Sequence, residues 1–163
     1  MEITHIKDSV FKIKGKSGFA TIDIGSITLE STDGSNVKVF KNAGEYEVAG
    51  ISVIGIQSDE GNVFVCEVDG LRICHLGNSS KKMTDSKLSV VGDIDVILVP
   101  VCVNTIEMVQ QIESYYVIPY GYKTEDELNK FLNDSGFTVT KPNKFTLKKD
   151  DIIEDQPCEI VVI

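Results

Sequence analysis

The chain has 163 residues, 42% apolar and 25% charged, which is typical of a globular protein with a single domain spanning residues 1–163. Its net charge of −9 repels phosphate backbones and anionic lipids at long range, so we expect neither nucleic acid nor membrane partners. No run reaches the roughly 18 apolar residues of a membrane span, and the opening MEITHIKDSVFKIKGK lacks signal-peptide features, so we expect a cytoplasmic protein.

Short β-type runs fill the first half of the chain and are separated by Gly, Asp and Asn residues. They are SVFKIKG, FATIDIG, SITLEST, VKVF, YEVAGISVIGI and NVFVCEVDGLRICHL. The pattern predicts that this half of the chain is mostly sheet.

The clearest element is a hairpin over residues 63–76, in which Asp69 and Gly70 supply the two positive φ angles of a type I′ turn. The turn fixes the register. It pairs Val68 with Leu71, Glu67 with Arg72, Cys66 with Ile73, Val65 with Cys74 and Phe64 with His75. This register predicts a cross-strand ion pair between Glu67 and Arg72. It also places His75 on an apolar face, where a histidine is more often a satisfied core residue than a metal ligand.

The four cysteines are expected to be free thiols. Cys66 and Cys74 point to opposite faces of the hairpin, so a disulfide between them would need a register slip. Cys102 and Cys158 complete the set, and no two of the four show CxxC spacing. We therefore expect reduced and mostly buried cysteines.

The second half alternates strands and helices. DIDVILVP and YYVIP are apolar strands, and the helix between them starts at NTIEMVQQIESY, with Asn104 as N-cap and Glu107 at N3. A second helix begins with a capping box of Thr124 and Glu127 and ends at Gly136. The strand–helix–strand order predicts a parallel pair, and CEIVVI predicts a closing strand.

Three strands end in polar or flexible residues, within RICHLGNSS, VILVPVCVNT and YVIPYGYKT. Ligands of α/β sheets usually bind beyond the carboxyl ends of the strands, so these ends predict one cleft. The residues proposed to line this cleft are His75, Asn78, Cys102, Asn104, Tyr120, Gly121 and Tyr122.

The runs MEITHIKDSVFKIKG, GEYEVAGISVIGI, VFVCEVDGLRICHLGN, GDIDVILVPV and YYVIPYGYKT resemble the metallo-β-lactamase superfamily, in particular its small ascorbate-phosphate-lactonase-like Zn-dependent hydrolases. The resemblance covers most of the chain. It implies an α/β (α+β) fold: a β-rich αβ/βα sandwich, reduced here by loss of the segment that carries the family's His-x-His-x-Asp-His block.

The family's metal ligands are missing at the positions that match its motifs. SITLESTDGSNVKVFKNA, where the block is expected, contains no histidine, and a further His is replaced within residues 57–59. The aspartate after the His-Leu-Gly strand is Asn78, and the final histidine is Gly121. The Gly-His-Ser of the first hairpin is replaced by residues 7–9, Lys-Asp-Ser.

The residue composition, without the resemblance, also predicts that a zinc site is absent. A hydrolytic zinc site takes about three protein ligands and one water. The chain has two histidines, His5 and His75, and the neutral amide of Asn78 is a weak zinc ligand. We expect Asn78 to keep the turn by hydrogen-bonding its local backbone. The sequence thus predicts no metal, no cofactor and no catalytic residue.

Our leading hypothesis is a metallo-β-lactamase-fold protein that has lost its metal centre and serves as a non-catalytic binding or structural module. An alternative is a hydrolase with an altered or metal-free site that uses His75, Cys102 and Asn78, since a Cys–His pair can form a nucleophile. A third hypothesis is an assembly partner, as a homo-oligomer or with an intact family member. The lost helix would uncover an apolar patch of the sheet for this purpose.

Overall fold

The computed structural model describes all 163 residues, which form two β-sheets and three α-helices. The helices are α1 (Asp85–Val91), α2 (Thr105–Ile112) and α3 (Glu125–Ser135), and a 3-10 turn covers Lys149–Asp151. The strands, in chain order, are β1 (Glu2–Lys7), β2 (Val10–Lys14), β3 (Gly18–Asp23), β4 (Ser26–Ser31), β5 (Val37–Phe40), β6 (Gly44–Val48), β7 (Ile51–Ser58), β8 (Gly61–Val68), β9 (Leu71–His75), β10 (Val96–Pro100), β11 (Tyr116–Tyr120), β12 (Thr138–Thr140), β13 (Phe145–Thr146) and β14 (Glu159–Val161).

The first sheet is antiparallel and has six strands in the order β13-β1-β2-β3-β4-β5. The second sheet has eight strands in the order β12-β14-β11-β10-β9-β8-β7-β6. Strands β6 to β9 pair antiparallel, whereas β9, β10, β11, β14 and β12 pair parallel. The predicted parallel pairing of DIDVILVP with YYVIP is therefore confirmed.

Two hydrophobic cores define the layers of the molecule. One core of 22 buried residues lies between the two sheets and includes Phe11 and Phe64. The other, of 16 buried residues, lies between the second sheet and the three helices and includes Val65, Met108 and Phe131. The layers are thus the first sheet, the second sheet and the helices, which confirms the predicted α/β sandwich.

The hairpin of β8 and β9 forms in the predicted register, from Val68 opposite Leu71 to Phe64 opposite His75. Asp69 and Gly70 have φ angles of 54° and 77°, as a type I′ turn requires. The Arg72 and Glu67 side chains are 3.9 Å apart and form the predicted ion pair.

The four cysteines are free thiols. Cys66 lies in the core between the sheets and Cys74 in the core beneath the helices, so their predicted opposite orientation is confirmed. Both are fully buried, and burial raises the pKa of the Cys66 thiol to about 12. Cys102 and Cys158 are only partly buried.

Helix α3 begins and ends as predicted. The Thr124 hydroxyl accepts a hydrogen bond from the Glu127 backbone N–H at 3.2 Å, and Gly136 follows with a left-handed φ of 69°. Leu128 and Phe131 on the apolar side of the helix are buried against the second sheet.

Helix α2 forms in the predicted place with Asn104 at the predicted N-cap position, but the Asn104 side chain makes no capping hydrogen bond. The Asn104 amide donates instead to the Ser80 carbonyl at 2.8 Å. The turn that precedes the helix is held by Thr105, whose hydroxyl accepts from the Cys102 N–H at 2.6 Å. The long-range hydrogen bond from Asn104 to Ser80 thus replaces the local capping bond at the start of the helix.

The outer face of the first sheet carries no helix and is mainly polar. One cross-strand row on this face consists of Thr4, Lys12, Thr21, Thr28 and Val39. Polar and charged side chains keep such a face in water without a covering layer.

Exposed apolar side chains on this sheet lie in two places, one on β1 and one on β5. Ile6 on β1 is 53% exposed, and Val37 and Val39 on β5 are 52% and 55% exposed. Three strands lie between β1 and β5, so these side chains do not form the contiguous apolar patch expected from loss of a helix. None of the three helices is long and apolar enough to cross a membrane.

Candidate functional site

A cleft of about 770 Å³, here called the strand-end cleft, opens where β9, β10 and β11 end. The three strands are parallel, with His75 opposite Leu98 and Pro100 opposite Tyr120, so their carboxyl ends meet at one edge of the sheet. Five of the seven predicted cleft residues line it: Asn78, Cys102, Tyr120, Gly121 and Tyr122.

The opposite wall of the strand-end cleft comes from the first sheet, which the sequence prediction missed. The turn between β1 and β2 contributes Asp8 and Ser9, and the turn between β3 and β4 contributes Ile24. In an antiparallel meander the hairpin turns alternate between the two ends of the strands. The β1–β2 and β3–β4 turns therefore lie at the same end of the first sheet. This alternation is the sequence signal that could have identified the second wall.

His75 does not line the cleft, so its place among the cleft residues is wrong, whereas the expectation of a satisfied core histidine on an apolar face is confirmed. It is fully buried, its Nδ1 accepts from the Gly77 N–H at 3.0 Å, and its Nε2–H donates to the Ser9 carbonyl at 2.9 Å. Burial lowers the pKa of His75 to about 4, although the bond to Ser9 opposes the shift. His75 is therefore a neutral structural side chain behind the cleft.

An aromatic cluster connects His75 to the floor of the cleft. The Tyr120 ring stacks on His75 with centroids 4.9 Å apart, and Phe11 meets Tyr120 edge-on at 5.5 Å. His5 stacks on the far side of Phe11 at 4.5 Å. The Tyr120 hydroxyl donates to the Gly77 carbonyl, and burial raises the pKa of this phenol. Both histidines of the chain thus take part in packing.

Ser9 is fixed by a second set of hydrogen bonds. Its hydroxyl donates to the Asp23 carboxylate at 2.6 Å, and the Ile24 N–H donates to the same oxygen at 2.7 Å. Because the Ser9 carbonyl receives the His75 proton, these bonds also hold the His75 ring in place.

Cys102 lies at the cleft rim without a catalytic partner. Its sulfur is 3.6 Å from the Thr105 hydroxyl oxygen and 3.9 Å from the Ser80 carbonyl, and it makes no hydrogen bond to His75. The structure therefore does not form the Cys102–His75 pair of the alternative hydrolase hypothesis. Asn104, bonded to Ser80, also lies outside the cleft lining.

The turn after β9 depends on Gly77 rather than on Asn78. Gly77 has a φ of 60°, and a Cβ there would lie 2.6 Å from the Asn62 carbonyl oxygen. The Asn78 side chain is exposed and makes no hydrogen bond, so the prediction that it bonds its local backbone is wrong. Its amide is free to meet a ligand in the cleft.

The donor atoms of the strand-end cleft do not fit a metal ion. His5, Asp8 and Cys102 are the residues of ligating type that line it. They do not come together, since no group of three or more His, Cys, Asp or Glu side chains could hold a metal. A zinc site needs about three such ligands on one ion.

Comparison with known proteins gives one family match and several structural ones. Residues 3–121 match the family described as beta-lactamase superfamily domain. A Thermotoga maritima protein described as a Zn-dependent hydrolase of the metallo-β-lactamase superfamily is 20% identical, with a TM-score of 0.78 over 99% of this chain and 97% of that one. At this identity the likeness shows the fold. No curated protein matches.

Other solved structures are less similar. A protein from Parabacteroides distasonis described as a metal-dependent hydrolase is 15% identical, with a TM-score of 0.45 over 80% of this chain and 96% of that one. CmlA, a diiron β-hydroxylase from Streptomyces venezuelae, is 10% identical, with a TM-score of 0.38 over 49% of this chain and 24% of that one. Neither carries an argument about the cleft.

We expect the free energy of unfolding to fall as the pH is lowered below 6.5. His75 takes up a proton near pH 6.5 in the unfolded chain but only near pH 4 in the folded protein. The contribution of neutral His75 to the free energy of unfolding is therefore complete above pH 6.5 and is lost as the pH falls towards 4. The full shift corresponds to about 3 kcal/mol. Denaturant titrations at pH 7 and about pH 5 measure this loss. Between these pH values the free energy of unfolding of the wild type should fall by roughly 2 kcal/mol more than that of His75→Gln. Equal losses would contradict this account.

We expect Gly77→Ala to destabilise the protein more than Gly136→Ala. Both glycines have a left-handed φ, but a Cβ at Gly136 meets nothing within 4 Å, whereas at Gly77 it meets the Asn62 carbonyl. The cost should be about 1 kcal/mol for Gly136→Ala. It should be roughly 3 kcal/mol for Gly77→Ala, because a backbone overlap is added. Chemical denaturation measures both, and equal costs would show that the Gly77 turn is not constrained by β8.

Proposed function

The chain belongs to the metallo-β-lactamase superfamily, and from this membership we propose that it is a member without a metal centre that acts as a non-catalytic binding module. One observation carries the proposal. The strand ends that deliver an aspartate and a histidine in the active relatives it resembles deliver Asn78 and Gly121 here, and both residues line the strand-end cleft.

Neither residue can replace the ligand at its position. The Asn78 amide has no negative charge with which to bind a cation, and neutral amides are weak zinc ligands. Gly121 has no side chain and a left-handed φ of 73° that favours glycine. Two strand ends that meet at the cleft therefore supply no anionic or imidazole donor.

The cleft does not form the Cys102–His75 pair that the alternative hydrolase would use. A general base must have a free nitrogen or oxygen near the reacting atoms, but both nitrogens of His75 are bonded and buried. A cysteine nucleophile needs an activating base, and the Cys102 sulfur approaches only a hydroxyl and a carbonyl. These contacts support a non-catalytic role.

The cleft itself supports binding over a purely structural role. Its volume of about 770 Å³ lies in the range of small-molecule sites. The Asn78 amide and the Lys123 ammonium are exposed at its surface, and neither side chain is paired within the chain. These free polar groups, beside the ring of Tyr122, provide contacts for a polar small molecule.

The proposal is tested by assaying the purified chain on phosphodiester, lactone and carboxylic ester substrates, with added Zn²⁺, Mn²⁺ or Fe²⁺ and then with chelator. We expect no turnover above the blank, either for the wild type or for Cys102→Ala. Turnover that depends on metal and disappears with chelator would contradict the proposal. Metal-independent turnover that is lost in Cys102→Ala would establish the alternative hydrolase instead.

A further inference from the structure

A second cleft, here called the lysine cleft, lies at the opposite end of the sheets from the strand-end cleft. It has a volume of about 590 Å³ and is formed by the start of β1, the end of β2, the β8–β9 turn and the 3-10 segment. Strands β1 and β9 begin at the lysine cleft and end at the strand-end cleft. The two clefts are thus separate sites.

The lysine cleft gathers positive charge in an acidic protein. The chain has 16 basic and 25 acidic residues, yet four of the basic ones line this cleft: Lys14, Lys16, Lys148 and Lys149. They come from two segments of the sequence more than 130 residues apart. The short runs of lysine in the sequence therefore gave no sign of a basic site.

Most carboxylates of this cleft are already paired. Lys144 lies 2.8 Å from Glu2 and, with a weaker effect of Lys14, lowers the pKa of the Glu2 carboxyl. Asp69 lies 3.4 Å from the Met1 ammonium. Among the acids that line the cleft, this leaves Asp150 without an ion pair.

Of the four lysines, one is also engaged. The Lys149 ammonium lies 3.0 Å from the buried Asp95 carboxylate. Lys14, Lys16 and Lys148 are exposed and form no ion pair within 4 Å. Three free ammonium groups facing one free carboxylate give the cleft a net positive charge.

The backbone that carries these lysines is held in place. A Cβ at Gly15 would lie 2.6 Å from the Val68 side chain, so the turn after β2 packs closely on the β8–β9 hairpin. The Lys16 N–H donates to the Asp69 carboxylate at 3.1 Å, and the Lys148 N–H donates to Asp151 at 2.9 Å. Binding would therefore order only the lysine side chains, which lowers its entropic cost.

We infer that the lysine cleft binds a small molecule with two or more clustered phosphate groups. Lysine acts as a point charge suited to phosphate, whereas planar carboxylates are recognised best by the bidentate fork of arginine. The single arginine, Arg72, is used elsewhere, since it donates to the carbonyls of Val91 and Asp93. Clustered phosphates occur both in soluble metabolites and in lipid headgroups, and the cleft recognises this shared chemistry.

The test is a titration of the full chain with inorganic pyrophosphate, in which binding is monitored by backbone amide NMR. We expect saturable shifts at residues 14–16 and 148–150 and none at Asn78 or Gly121. The triple variant Lys14→Gln, Lys16→Gln, Lys148→Gln should raise the Kd at least about tenfold, because it removes the free charges. All three side chains are exposed, so the amide spectrum should show that this variant remains folded.

A matched control changes the net charge equally at exposed lysines outside the cleft: Lys38→Gln, Lys41→Gln, Lys130→Gln. It should leave the Kd unchanged. The inference is overturned if pyrophosphate does not saturate the wild type, if both triple variants weaken binding equally, or if the shifts map elsewhere. These results concern the lysine cleft alone and leave the proposed function of the strand-end cleft untouched.

A second arm distinguishes the two sources of phosphate. Vesicles of phosphatidylcholine with and without a phosphoinositide are sedimented with the wild type and both triple variants. Sedimentation that depends on the phosphoinositide and on the three cleft lysines would identify a headgroup as ligand. Pyrophosphate binding without sedimentation would identify a soluble phosphorylated molecule.

Discussion

The buried pair of hydrogen bonds made by His75 is the constraint on which the cleft depends. One nitrogen reaches the Ser9 carbonyl in the first sheet, and the other accepts from Gly77 at the end of its own strand. The imidazole thus fixes the distance between the sheets and the direction of the chain where the cleft opens. Stacking of Tyr120 on the ring, and its bond to Gly77, extend the same junction to β11.

In the role we propose, this junction holds the strand ends together without a bound metal ion. Clustered carboxylates and imidazoles that hold metal ions repel one another or remain poorly solvated when the cation is absent. Neutral residues at the strand ends, Asn78 and Gly121, avoid that cost. The imidazole of His75 is kept neutral by burial and is fully hydrogen-bonded. In the function we propose, this end of the sheet therefore combines a packed junction at His75 with a neutral binding cleft beside it.

The turn and capping residues predicted those parts of the fold that depend on neighbouring residues in the sequence. The Asp69–Gly70 turn set the hairpin register, and the capping residues around α3 set its limits. Helix α1 was missed because it has only seven residues, and the two apolar side chains that pack on the core, Leu88 and Val91, are too few to show a helical period. The hairpin register correctly placed His75 on an apolar face, and only its position at a strand end suggested that it lines the cleft. The lysine cleft was hidden because its charges meet only in the folded chain.

Elemental analysis tests most directly whether the strand-end cleft of this superfamily member holds a metal ion. Protein purified without chelator is measured by elemental mass spectrometry and then titrated calorimetrically with Zn²⁺, Mn²⁺ and Fe²⁺. The account predicts no stoichiometric metal and no heat above background, because the cleft lacks three convergent donors. One tightly held ion per chain, lost when Asp8 or Cys102 is replaced, would contradict it and would place a metal centre in the cleft.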